Sequence, residues 1–168
     1  MDRSLETLAP HIVVREVEDG GRIANAMFRR CHGEDAPDYP HHVIAFWRDA
    51  AREIPLCYIN FLAKGELLLG GGACVDEAAL RGLPAGLRSS IRAAGGLYQY
   101  SLAWAVRHFA SRYPAVFGYC GDGLAERVDL AVGFHKTRYA KLLVYWTRPL
   151  TEEEQKSLVH AANEVGPF

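Results

Sequence analysis

The sequence predicts an α/β domain in which a mixed, mostly antiparallel sheet is flanked by helices. Three observations lead there. His42 to Trp47, Leu56 to Ala63 and Glu66 to Val75 are consecutive runs rich in apolar residues, the latter pair joined by Lys64-Gly65, so they read as an antiparallel meander. Leu97 to Arg112 carries apolar residues at helical spacing, with Leu97, Tyr100, Trp104 and His108 on one side and Leu102, Val106 and Phe109 beside them. Ala115 to Tyr119, between Pro114 and Gly121, is a short apolar run of the kind that forms a strand buried on both faces. It should lie parallel to the third strand, because a strand-helix-strand unit closes by a right-handed crossover.

The remaining elements fit around this frame. His11 to Val17 reads as a first strand, ended by Glu18-Asp19-Gly20-Gly21. A helix follows over Arg22 to Cys31, where Ile23, Met27 and Cys31, with Ala24 and Phe28 beside them, recur at a spacing that suits core packing. His32 to Pro40 holds Gly33, Asp35, Pro37, Asp38 and Pro40 and reads as an irregular surface loop. The connection Asp76 to Ala94 is long, with an extra turn or short helix at Leu87 to Ile91. Asp122 opens a helix that runs to about Val132 and stops where Gly133 can adopt the left-handed C-terminal conformation. Lys141 to Trp146 is a further strand. Thr151-Glu-Glu-Glu154 is a capping box that opens a last helix to Glu164.

Composition bounds the function. A chain of 168 residues with 49% hydrophobic content suits one domain over residues 1–168 with a real core. The formal net charge of -1, with 19 basic and 20 acidic side chains spread along the chain, offers no basic stripe for nucleic acid and no polybasic anchor for membrane. Cys31, Cys57, Cys74 and Cys120 lie far apart, and the N-terminus lacks the basic-then-apolar layout of a secretion leader. Free thiols in a reducing cytoplasm are the expectation. His41-His42 would point to opposite faces of a strand and cannot readily share an ion, so no metal is expected. Trp47, Trp104 and Trp146 read as core anchors. Strand edges leave room for a homodimer.

Chemistry is expected where the central helix begins. A helix start has backbone N-H groups without helical partners and the positive end of the peptide dipoles, so glycines there let a phosphate approach the main chain. Two segments compete for that role: Arg92-Ala-Ala-Gly95-Gly96-Leu97 and Arg81-Gly-Leu-Pro-Ala-Gly86. The former is preferred, since Pro84 removes an N-H donor and a helix begun at Gly86 would have to run through Gly95-Gly96 at about 1 kcal/mol per glycine. Gly70, Gly71 and Gly72 form the other unusual feature, because glycine inside a strand marks a bulge or a close approach.

The order strand, loop, helix, strand, helix, strand from Glu66 to Trp146, with Arg92 and Gly95 in an Arg/Gln-x-x-Gly-x-Gly/Ala loop, resembles the GNAT acyl-CoA N-acyltransferase superfamily. Leu97 departs from that motif, standing where Gly or Ala belongs. The resemblance covers about His11 to Trp146. It implies a pyrophosphate of acetyl-CoA on Arg92, Gly95, Gly96 and Leu97, and a pantetheine arm beside the bulged strand. Backbone N-H groups near Ala73, Cys74 and Val75 would polarise the thioester. It further implies that the His32 to Pro40 loop faces the acceptor, and that the Gly133-Phe134 pair belongs to the carboxyl half. The residue four before that pair is a tyrosine acid in many of these enzymes and is Asp129 here.

Direct acyl transfer to an amine requires a base, a polarised carbonyl and sometimes a donor for the departing thiolate. Asp76 and Glu77 are the candidate bases. Tyr119 or Tyr98 is the candidate acid. Two other readings stand beside transfer: a non-catalytic CoA- or small-molecule-binding module on the same fold, and a covalent route through Cys120 with His108 or His135 as base.

Overall fold

The strands are β1 (Ile12–Glu16), β2 (His41–Asp49), β3 (Arg52–Lys64), β4 (Leu67–Val75), β5 (Ala115–Tyr119), β6 (His135–Lys136) and β7 (Leu142–Trp146) in a computed structural model that describes residues 8, 10–50 and 52–168. Residues 1–7, part of the stretch read for a secretion leader, lie outside the described residues. The strands pair in the order β1-β2-β3-β4-β5-β7-β6, antiparallel throughout except for β4 with β5. The meander and its parallel crossover therefore form as the hydrophobic patterning requires. Strand β3 starts earlier than expected and accommodates Pro55 where its register with β2 slips. Strand β6 was not expected.

The helices are α1 (Gly20–His32), α2 (Glu77–Arg81), α3 (Ala85–Ala93), α4 (Leu97–Phe109), α5 (Gly123–Val132) and α6 (Glu152–Val165). They cover both faces of the sheet, and the alternation of side chains along the strands sorts their partners. Ile59, Phe61, Leu68 and Val116 meet Leu97, Leu102 and Val106 of α4 on one face. On the other face Leu67, Leu69, Phe117 and Val144 meet Val159 and Ala162 of α6, while Ile44, Phe46, Tyr58 and Cys74 meet Ala24, Met27 and Phe28 of α1.

Helix α1 extends one residue beyond its expected end. Gly33, at φ 77°, takes the left-handed cap and donates to the Arg29 carbonyl, so His32 is helical. The long connection after β4 folds into α2 and α3 rather than a single turn. The Asp76 carboxylate accepts from the N-H groups of Ala78 and Ala79 and so starts α2, and the chain turns at Gly82 into α3. His41 and His42 do face opposite ways. His41 meets Glu16 and Tyr113, whereas His42 accepts from or donates to the Tyr58 hydroxyl at 2.7 Å on the α1 side. Among the described residues no helix is long and apolar enough to cross a membrane, and no group of three His, Cys, Asp or Glu side chains is placed to hold a metal.

Candidate functional site

The site is built by the parting of two parallel strands. Strands β4 and β5 pair from Leu67↔Ala115 only as far as Gly70↔Gly118. The glycines explain the break. Register with β3 jumps between Ile59↔Ala73 and Phe61↔Gly70, so one extra residue bulges from β4 opposite Asn60. A Cβ at Gly71 would lie 2.2 Å from Asn60 Oδ1, and one at Gly72 would lie 2.7 Å from the Phe28 ring. Only glycine lets the bulge close, and Asn60 Oδ1 secures it by accepting from the Gly72 N-H at 3.0 Å.

Past the bulge, β4 exposes backbone to the gap. Asp76 N-H donates to the Leu56 carbonyl at 2.8 Å, which makes Leu56 and Asp76 a hydrogen-bonded pair. Such pairs alternate along an antiparallel ladder, so Cys57↔Val75 and Ile59↔Ala73 are the non-bonded ones. The N-H and C=O groups of Ala73 and Val75 consequently face away from β3. Their carbonyls are met by His32 Nε2 at 2.9 Å and by Cys31 Sγ at 3.7 Å, and their N-H groups have no partner among the described residues.

A cavity of about 470 Å³ fills the gap. It crosses the sheet, because Tyr98 and Leu102 of α4 and Val128 and Asp129 of α5 line one side while His32 at the end of α1 lines the other. Of the residues singled out in the sequence, Ala73, Cys74, Val75, Tyr98, Tyr119, Cys120 and Asp129 come together here. Asp76 and Glu77 do not line the cavity. Arg30 binds the Asp76 carboxylate at 2.5 Å, and although burial raises its pKa, the α2 N-H groups and Arg30 together bring it below the usual range. Glu77 is exposed in the first turn of α2.

Asp129 is the most unusual group in the wall. It is 3% exposed and accepts from the Tyr98 hydroxyl at 2.9 Å and the Cys120 thiol at 3.3 Å. Burial pushes its pKa up, against the opposing pull of those two donors. Burial beside Asp129 likewise pushes the Cys120 thiol and the Tyr98 phenol upward, so neither ionises readily. The covalent route through Cys120 finds neither of its expected histidine bases. His108 is bonded to Glu16 and His135 stands exposed on β6.

Arg92, Gly95, Gly96 and Leu97 lie outside the cavity wall, between α3 and α4. Arg92 sits in the last turn of α3, exposed and without an ion pair among the described residues. Gly95 and Gly96, at φ 87° and 96°, reverse the chain, a backbone that other residues rarely adopt. Gly96 then precedes α4 with no side chain capping it, which leaves the first N-H groups of the helix open. Leu97 is only 2% exposed, its side chain packed in the core on the α4 face of the sheet. Its bulk therefore does not cover the helix start.

His32 is a titratable cavity residue that the sequence did not single out as part of the site. Its one cue was its place beside Gly33, at the edge of the loop expected to face an acceptor.

No protein-family model matches this sequence, and no curated protein matches it. Solved structures do. The ribosomal-protein-S18-alanine N-acetyltransferase from Escherichia coli is similar at a TM-score of 0.54 and 10% identity, over 84% of this chain and 97% of that one. The E. coli protein YhhK, described as an N-acetyl transferase and bound to coenzyme A, is similar at a TM-score of 0.52 and 14% identity, over 80% and 98% of the two chains. The ribosomal-protein-S5-alanine acetyltransferase from Vibrio fischeri is similar at a TM-score of 0.51 and 12% identity, over 84% and 96%.

Proposed function

From the premise that this chain has the GNAT acetyltransferase fold, we propose that it transfers an acetyl or other short acyl group from CoA to an amine by direct attack. The observation that carries the reading is the slot between β4 and β5. There the N-H groups of Ala73 and Val75 stand unclaimed in a cavity that reaches both faces of the sheet. Such fixed donors stabilise the oxyanion that forms when a nucleophile adds to a thioester carbonyl.

The open N-terminus of α4 supplies further donors, and Arg92, exposed and without an ion pair among the described residues, brings a guanidinium near the same turn. Together with the open N-H groups that begin at Leu97 it holds the pyrophosphate of the acyl donor, while Gly95 and Gly96, whose own N-H groups are taken by the Arg92 and Ile91 carbonyls, shape the turn rather than bind as the sequence suggested. Coenzyme A bound to the similar E. coli protein supports this assignment. Tyr119, in the cavity wall, is the candidate donor for the departing sulfur. Asp129, standing where the resemblance places a tyrosine acid, favours a second reading in which the fold binds an acyl-CoA without turning it over.

A thermal-shift titration with acetyl-CoA, with CoA, ATP and adenosine as controls, tests binding. A ligand at about 100 times its dissociation constant adds roughly 2.7 kcal/mol. A saturable rise with CoA species and none with adenosine is expected. Arg92→Ala should weaken CoA binding about 10-fold by calorimetric titration, the worth of one charge-assisted contact, and leave the melting temperature alone. Equal affinity in wild type and variant would remove Arg92 from the cradle. Product formation from acetyl-CoA and a broad amine panel separates the transfer reading from the binding one.

A further inference from the structure

We infer that His32 is the base that takes the proton from the attacking amine, an assignment that rests on the transfer reading above. The last turn of α1 is fastened to the end of β4 by consecutive residues. Arg30 meets the Asp76 carboxylate at 2.5 Å, Cys31 Sγ lies 3.7 Å from the Val75 carbonyl, and His32 Nε2 lies 2.9 Å from the Ala73 carbonyl. The His32 ring also packs on Phe28 with centroids 4.4 Å apart. Its position at the mouth of the slot is thus held from two directions.

That contact fixes the tautomer. A carbonyl oxygen only accepts, so Nε2 carries the hydrogen, and in the neutral ring Nδ1 has the free lone pair. The bond is made to the residue whose own N-H is unclaimed in the slot, so the base and one oxyanion donor belong to a single peptide neighbourhood. The carboxylates of the cavity wall are committed elsewhere. Asp129 binds Tyr98 and Cys120 on the opposite side of the sheet, and Asp122 Oδ1 caps α5 through the N-H groups of Leu124 and Ala125 at 2.8 Å.

In the step itself the amine nitrogen bonds to the thioester carbon and its proton passes to Nδ1. The C–S bond breaks with its electron pair on sulfur. The thiolate then takes a proton from Tyr119, which regains one from solvent as the imidazolium returns its own. The amine comes from the α1 face, since the acyl donor held at the start of α4 takes the other.

The test is His32→Gln, whose Nε2 amide can still donate to the Ala73 carbonyl but which has no base. With the amine that turns over best, kcat should fall about 100-fold while acetyl-CoA affinity and melting temperature stay unchanged, and added imidazole should restore part of the rate. Turnover by the variant within about twofold of wild type overturns the assignment and leaves the transfer reading intact. A loss that imidazole does not rescue and that comes with a lowered melting temperature overturns it in favour of a purely structural contact. His32→Asn, assayed the same way, decides the matter should the glutamine variant fail to fold. A wild-type protein inactive with every amine overturns the transfer reading and this assignment with it.

Discussion

Two carboxylates, Glu16 and Asp129, are held by side-chain networks on the α4 side of the sheet, and they are treated in opposite ways. Glu16, at the end of β1, accepts from His41 at 2.6 Å, His108 at 2.7 Å and Arg112 at 2.6 Å, with His41 passing the network on to Tyr113. Partial burial works to raise its pKa, yet the hydrogen bonds from Arg112, His108 and His41 outweigh it and hold the group at about 2. Asp129 has a hydroxyl and a thiol but no cation, and burial prevails. A carboxylate given an arginine joins elements together, here β1, β2 and the end of α4. One kept away from cations inside a cavity is unsuited to that task, and perturbed groups of this kind mark sites of chemistry.

The sharpest way to break this contrast is to remove the buried member. Asp129→Ala leaves the Tyr98 hydroxyl and Cys120 thiol unpartnered and opens a void, which should cost about 2–3 kcal/mol in urea unfolding. Asp129→Asn keeps the shape and can still pair with both neighbours. It should cost under about 1 kcal/mol, because the amide lacks the charge that burial disfavours. Equal losses in the two variants would show that the negative charge itself stabilises the fold, and the distinction from Glu16 would collapse.

Acid separates the pair further. The folded pKa of Glu16 lies below its ordinary 4.5, so its stabilisation is present above that value and is lost as the pH falls toward about 2. Asp129 runs the other way. Its folded pKa lies above the unfolded one, so the fold gains from it in acid and loses that gain as the pH rises through the folded value. Between about pH 5 and 2 the wild type should lose about 1–2 kcal/mol more than Glu16→Gln, after allowance for solvent screening of a partly exposed group. Parallel stability curves for the two proteins would refute the account of Glu16.

The two regions also differ in what the sequence disclosed. The meander, the parallel crossover and the glycine bulge were legible, because alternation, helical periodicity and glycine each report a local constraint. Where the resemblance placed a tyrosine, Asp129 could be noticed, but its bonds to Tyr98 and Cys120 could not. They depend on how α4, β5 and α5 stack, and that is set by packing across the sheet. His32 was expected in the loop that follows the helix, and the left-handed turn at Gly33 instead makes it the last helical residue, fixed against β4 by a contact that no local pattern reports. Arg92 was expected in an open loop and instead closes α3, because the segment after Pro84 had enough helical character to form its own short helix.

The smallest expected effect lies at the rim of the Glu16 network. Tyr113→Phe removes the hydroxyl bonded to His41 Nε2 at 2.8 Å but leaves the ring edge-on to His41 and Phe109. His41 is only 13% exposed at its side chain, so its ring nitrogen loses a partner with little access to water. The cost should be about 0.5–1 kcal/mol at neutral pH. It should also add to that of Asp129→Asn within about 0.5 kcal/mol in a double variant, because no partner is shared between the two networks. A coupling much larger than that would mean α4 transmits strain from one carboxylate to the other. The joining network and the cavity wall would then be one mechanical unit, so that changes far from the slot would reach it.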